Sequence, residues 1–266
     1  MKILSWKNKD SWINDIDDYA SDILNTELVS KIKSKNIKGC WSDDMAWLAD
    51  QEIFYSFEEV FYDYYTHVKC FHGCRPINVS SYYERGFIGQ IKDEIEKQFR
   101  TIFNDVHVEE LNKAIEYLSD RGISEKGKIY FVCNDDELIN ESGHYLIQGS
   151  EYIMSMAACL SRCGNNQQDY RLRLREVGIP TIFEVNIPLD NIPSPQITTL
   201  IQTIIASWGD VNMFPEDVYD HDMGFTVHCD IEAGNIVGHS HPKRIHDPHF
   251  RNAWYHSKIT TCEMCK

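Results

Sequence analysis

The chain has no apolar run long enough to span a bilayer, and its first residues, Met1-Lys2-Ile3-Leu4-Ser5-Trp6-Lys7, lack the apolar core of a secretory signal. A soluble, cytoplasmic protein is expected. Nor is there an excess of positive charge: 26 Lys and Arg stand against 41 Asp and Glu, a formal net charge of −15 over 266 residues. Nonspecific binding to phosphate backbones depends on releasing counterions, so this balance argues against long nucleic acid as a partner. The sequence also lacks internal repeats, low-complexity tracts and the His-Glu-x-x-His pattern of a metalloprotease helix. Its nine cysteines, an odd number without framework-like spacing, read as free thiols in a reducing compartment.

What is present is the composition of a folded domain, with 42% hydrophobic and 12% aromatic residues. Trp12, Ile16, Tyr19, Ile23 and Leu24 fall at helical spacing behind Ser11, a candidate cap. A second helical pattern runs from Met45 to about Tyr65, with Phe54, Phe57, Val60, Phe61 and Tyr64 as its stripe. His67 to Phe71 is β-favouring and puts His72-Gly73 at a strand end; further helices are expected over about 89–103 and 108–119. Strands are predicted over 128–133, 142–147, 179–189, 225–231 and 236–238, and a helix over 196–208 with Pro195 at its start. The alternation of Arg171, Arg173 and Arg175 reads as one solvated face of a strand, and Gly164 to Gln168 as a polar loop. Helices early and strands late predict an α+β fold with a mixed or antiparallel sheet. The expected division is a helical N-terminal extension over 1–66, a main domain over 67–250 and a tail over 251–266.

One constellation is informative beyond fold class. His72-Gly73-Cys74-Arg75, then Asn78, then Gly86-Phe87 after a short turn, resembles the first motif of the ADP-ribosyltransferase fold in its poly(ADP-ribose) polymerase-like branch. Gly143-His144-Tyr145-Leu146, Ser150 and Tyr152 resemble that family's second motif, with a shorter interval between strand and helix, and Glu184 to Leu189 is similar to another of its strands. The similarity spans roughly 67–240. It implies a split mixed or antiparallel sheet and cleavage of NAD between nicotinamide and ribose, a reaction with an oxocarbenium-like transition state. The resemblance further implies that the Gly73 backbone bonds the carboxamide and His72 a ribose hydroxyl, that Tyr145 and Tyr152 sandwich the ring, that Ser150 bonds the carboxamide oxygen, and that Arg75, with Asn78 beside it, serves the diphosphate or adenosine side.

The family's third element, a Glu at the start of a late strand, falls on Phe225. Asp222 or Glu232, with Glu184 as a further choice, would have to supply the carboxylate; otherwise the substrate supplies it, or the chain binds NAD or ADP-ribose without turnover. Seven of the eleven histidines lie between His221 and His256. His239, His241, His246 and His249, with Cys262 and Cys265, are the types that make a tetrahedral zinc site or, in another reading, a metal-dependent hydrolase. Surface or packing histidines, with no metal, are the simpler expectation. The function expected is a mono-ADP-ribosyltransferase passing ADP-ribose to a macromolecular acceptor, a protein before a nucleic acid, as in toxin or defence enzymes.

Overall fold

The computed structural model of the chain describes residues 2–34, 51–163, 168–216, 221–251 and 253–265. In chain order the elements are β1 (Ile3–Ser5), α1 (Lys9–Tyr19), α2 (Thr26–Lys33), α3 (Gln51–Tyr64), β2 (His67–Cys74), α4 (Ser80–Arg85), α5 (Lys92–Ile102), α6 (Val108–Tyr117), α7 (Ser119–Ser124) and β3 (Ile129–Val132). They continue with α8 (Asp135–Asn140), α9 (His144–Gln148), α10 (Glu151–Cys163), α11 (Arg171–Leu174), β4 (Thr181–Pro188), α12 (Ser194–Met213), β5 (Gly224–Val227), β6 (Ile236–Ser240), β7 (Arg244–Asp247) and β8 (Ala253–His256). The architecture is α+β. No described helix is long and apolar enough to cross a membrane. The chain forms two compact units: Met1–Cys70 with Asn186–Phe225, and Phe71–Val185 with Thr226–Lys266.

In the first unit β1 pairs in parallel with the start of β2, Leu4 against Val68. The helical stripes fall as their spacing dictates: Trp12 and Ile16 of α1 and Phe57 and Phe61 of α3 are buried, and Trp6 stacks on Trp12 with ring centroids 4.9 Å apart. Helix α12 carries Ile197, Leu200, Ile201, Ile204, Ile205 and Trp208 into the interior and packs against α2 and α3. Its start is fixed by Pro195, where a missing amide hydrogen costs nothing. The cap of α1 is Asn8 rather than Ser11, which lies in its first turn. Residues 45–50 of the predicted second helix lie outside the described residues.

The second unit holds the antiparallel pairings of β2 with β3, Phe71 opposite Val132, and of β4 with β6, Ile182 opposite Ser240. The sheet order is β5-β3-β2-β4-β6, and β7 and β8 form a separate hairpin. One core joins Phe99 of α5 and Phe103 at its C-cap, Leu111 of α6 and Tyr152, Met156 and Leu160 of α10. A second joins Leu138, Leu146 and Ile147 to Ile182 of β4 and Ile245 of β7. Truncating Phe99 or Phe103, both with no exposed surface, to Ala would cost about 3–5 kcal/mol.

Three sequence expectations need correcting here. The stretch 142–147 holds no strand: His144–Ile147 belong to α9, which Gly143 caps and Gly149 ends, the latter's φ of +89° placing it in the left-handed region that stops helices. Arg171, Arg173 and Arg175 occupy a helical turn, α11 and its cap, because each finds its own carboxylate: Asp169, Asp105 and Asp247. The segment read as a tail contributes β8, paired along its length with β7. Of the polar loop expected over 164–168, residues 164–167 lie outside the described residues.

Candidate functional site

His72 lies on β2, its ring packed on Phe87 and Phe131 with centroids 5.0 and 5.6 Å away. Its Nδ1 stands 2.8 Å from the backbone carbonyl of Tyr130. A carbonyl only accepts, so Nδ1 carries the proton and Nε2 keeps its lone pair. Burial pushes the pKa below the ordinary histidine value, which keeps the ring neutral at pH 7. Such an imidazole can accept a hydrogen bond from a hydroxyl. Beside it, Gly73 is buried; a Cβ there would come 2.9 Å from Leu138 Cδ2 and 3.4 Å from Leu146 Cδ2, so helices α8 and α9 close over this point. Cys74 is no nucleophile, since burial pushes its thiol up to about 12.

Gly86 closes the turn after α4 with φ +77°, and a Cβ would lie 2.0 Å from the Ile231 carbonyl oxygen. Phe87 and Ile231 exchange backbone hydrogen bonds at 2.8 and 2.9 Å. This much of the motif folds as one piece.

The other residues of the motif are employed by the backbone. Arg75 donates through Nε to Val177 O at 2.8 Å, through Nη1 to Leu146 O at 3.1 Å, and through Nη2 to Arg175 O, so its guanidinium ties α9 to the end of α11. Asn78 Oδ1 accepts from the Ser80 backbone N–H and hydroxyl, both at 2.9 Å, at the entry to α4. Ser150 Oγ accepts weakly from Ile153 N at 3.4 Å, in the cap position of α10. Tyr152, at 2% exposed, belongs to the core with Phe99 and Phe103, its hydroxyl donating to Glu96 at 3.0 Å. That ring is part of the helical packing.

Among the carboxylates, Asp222 is exposed and belongs to the first unit, and Glu232 is exposed at the entry to a 3-10 turn, Ala233–Asn235, in the second. Phe225, at the aligned position, is 2% exposed. Glu184 lies on β4 opposite Gly238.

A different carboxylate accompanies Tyr145. The junction of α9 and α10 brings Tyr145 OH within 3.1 Å of Glu151 Oε1, which it donates to, and His144 Nε2 within 3.5 Å of the same oxygen; Arg121 pairs with Oε2. The His144 ring lies on Tyr145 at 4.1 Å between centroids and faces His249 at 5.0 Å. Burial works against charge on Glu151, but the Tyr145 hydroxyl, Arg121 and His144 together outweigh it and hold the carboxyl below the ordinary glutamate range. Burial and the neighbouring His249 hold His144 below the ordinary histidine value. The Glu151 side chain nevertheless remains 42% exposed, so a charged carboxylate is oriented and reachable. Sequence reading missed it. The available signal was its place in the first turn of α10, six residues after Tyr145; nothing in spacing pointed to Arg121.

The histidine-rich segment divides. His239 on β6 and His241, the residue after its end, have ligand atoms within 4.8 Å of those of Cys262 and Cys265 and of one another. His246 and His249 are not in this group; His246 packs on Trp254 in the hairpin and His249 faces His144. Four protein ligands are the number of a closed, structural site, whereas a catalytic site keeps one position open. A separate surface cavity of about 580 Å³ beside α4 is lined in part by Asn78, Arg85, Gly86, Gln90 and Glu94. No protein-family model, no curated protein and no solved structure matches the chain.

Proposed function

We propose that the chain is a mono-ADP-ribosyltransferase of the split-sheet ADP-ribosyltransferase type, with NAD as its substrate and Glu151 in the role of the carboxylate that the late strand lacks. The observation that carries this reading is the oriented, charged, half-exposed Glu151 hydrogen-bonded to Tyr145. In the reaction the bond between ribose C1′ and the nicotinamide nitrogen breaks, its electron pair leaving with neutral nicotinamide. Glu151 offsets the positive charge that develops on the ribose, a fixed opposite charge being most effective where charge appears only in the transition state. The acceptor nucleophile then bonds to C1′ and gives up its proton to solvent water at the half-exposed site. His72, neutral and with Nε2 as acceptor, holds a ribose hydroxyl, and the resemblance of the His72-Gly73 and Tyr145 motifs supplies the identity of the nucleotide. The acidic surface favours a protein acceptor inside the cell over nucleic acid.

Incubation of the purified chain with labelled NAD and cell extract, read by mass spectrometry, should yield free nicotinamide and ADP-ribosylated product, and both should disappear in Glu151→Gln and in His72→Ala. Full turnover in Glu151→Gln removes the assignment. A second reading, an NAD- or ADP-ribose-binding module without turnover, is favoured by the burial of Phe225 and of Tyr152. Calorimetric binding of NAD with no nicotinamide released on any extract would select it.

A further inference from the structure

The four convergent side chains at the end of β6 and in the C-terminal segment have a geometry of their own. Cys262 Sγ and Cys265 Sγ are 3.7 Å apart, and His239 Nε2 is 3.4 Å from the first and 3.5 Å from the second. A tetrahedral ion with zinc–sulfur bonds of about 2.3 Å and zinc–nitrogen bonds of about 2.0–2.1 Å requires its ligands to stand roughly 3.8 Å apart for two sulfurs and roughly 3.6 Å for sulfur and nitrogen. His239, Cys262 and Cys265 stand at those spacings, and a ligand atom of His241 lies within 4.8 Å of all three. A two-iron cluster would carry thiolates and imidazoles on different irons, and could not bring one imidazole nitrogen into contact distance of both thiols.

The second observation is the state of His241, a residue only 9% exposed. Its Nδ1 lies 2.9 Å from Pro180 O and 3.2 Å from Thr181 Oγ1. The Pro180 carbonyl only accepts, so Nδ1 is the donor and Nε2 carries the lone pair. That Nε2 is buried and has no hydrogen-bond partner. A buried acceptor left without a partner is destabilising, and a ligated cation removes that cost. His239 is held in the same manner, its Nδ1 2.7 Å from Tyr83 OH while Nε2 faces the thiols. Fixing one imidazole nitrogen by an outer hydrogen bond so that the other points at the ion is how ligating histidines are usually supported. The cysteine turn is built likewise: Cys265 N–H bonds Cys262 O at 3.1 Å, and backbone N–H groups of Met264 and Cys265 hydrogen-bond the Cys262 sulfur.

We propose that His239, His241, Cys262 and Cys265 bind one zinc ion in a closed, structural Cys2His2 site. A donor set of two thiolates and two imidazoles selects zinc over the oxygen-seeking cations. The ion fastens the C-terminal segment to β6 and, through Tyr83 and Pro180, braces α4 and the start of β4. All of these residues lie in the second unit.

The test is metal analysis of the full chain, purified without a histidine tag and passed through gel filtration. One zinc per chain is expected, lost in the Cys262→Ser/Cys265→Ser double variant and kept in His246→Ala/His249→Ala. Should the cysteine variant fail to fold, cobalt exchange into the wild type serves: strong visible absorption of a tetrahedral ion together with thiolate charge transfer is expected. Zinc well below one per chain after resupply, retention of zinc in a folded cysteine variant, a Cys262–Cys265 disulfide in the freshly purified protein, or the weak spectrum of octahedral cobalt would each overturn the proposal. None of these readouts involves NAD, so they stand apart from the enzymatic reading.

Discussion

Two clusters of the second unit use the same kinds of side chain in opposite ways. Around Cys262 the imidazoles and thiols turn their free atoms toward one another, and the backbone serves only to orient them. Along the His-Gly strand and the start of α10, Arg75, Asn78 and Ser150 spend hydrogen bonds on backbone groups, whereas the Glu151 carboxylate, held by Tyr145, stays 42% exposed and His72 keeps the Nε2 lone pair. A motif match therefore reports residue types, whereas a site is defined by what those residues leave unspent. By that measure the first cluster keeps the donor set that its sequence offered, and the second is a smaller group than its sequence promised.

The β7–β8 hairpin lies in the chain between His241 and Cys262, and its turn sets His249 against His144, so the heaviest perturbation is placed there. Asp247, 1% exposed, pairs with Arg175, whose guanidinium lies 3.8 Å over the Phe250 ring. Asp247→Ala would strand that cation and should cost about 3–5 kcal/mol in urea unfolding, with zinc content unchanged in the folded fraction. Loss of both stability and zinc would show that the clusters are one cooperative object. Next in size, Glu151→Gln should lower nicotinamide release by about 10²–10³-fold, the scale of removing one electrostatic partner of a transition state, while the melting temperature stays near wild type. Zinc removal should do the reverse, lowering the melting temperature while turnover per folded chain persists.

A smaller effect separates the clusters by pH. His72 is held below the ordinary histidine value by burial, so as pH falls through that value of 6.5 the unfolded chain takes up a proton before the folded one. Its contribution to stability is complete above the ordinary value and declines below it, by at most about 1.4 kcal/mol per pH unit. Denaturant midpoints measured across this range should show a slope that His72→Gln reduces. Smallest is Tyr145→Phe, worth about 1 kcal/mol through the lost hydrogen bond to Glu151. Its signature is directional: the Glu151 carboxyl rises toward the ordinary glutamate range, and the acid limb of nicotinamide release moves to higher pH.

Much of the fold was readable because it is written locally. The two prolines bounding β4, Pro195 at the head of α12 and the helical stripes of α1 and α3 each act within a few residues. The failures share a cause. Tyr145 and Ile147 favour a strand by type, yet they lie in a helix whose cap, Gly143, is packed so that a Cβ would lie 2.0 Å from the His246 carbonyl oxygen, a contact across a hundred residues. The left-handed Gly149 was the local stop signal that would have corrected the reading. The site was legible to the same degree: His72, Gly73 and Tyr145 could be named, and so could the His-x-His and Cys-x-x-Cys pairs. The partners of each, Tyr130 for His72, Arg121 for Glu151 and Tyr83 for His239, come from elements too distant in sequence to announce themselves.

The hairpin turn at Arg251, exposed and at a φ of +58°, gains a meaning from the ligands that bracket it. With His241 before the hairpin and Cys262 after it bound to one ion, residues 242–261 become a closed ring. Trypsin cutting after Arg251 would then open the ring without separating the pieces: the chain would run as two fragments in denaturant and as a single particle in native buffer, until a chelator lets the smaller one go.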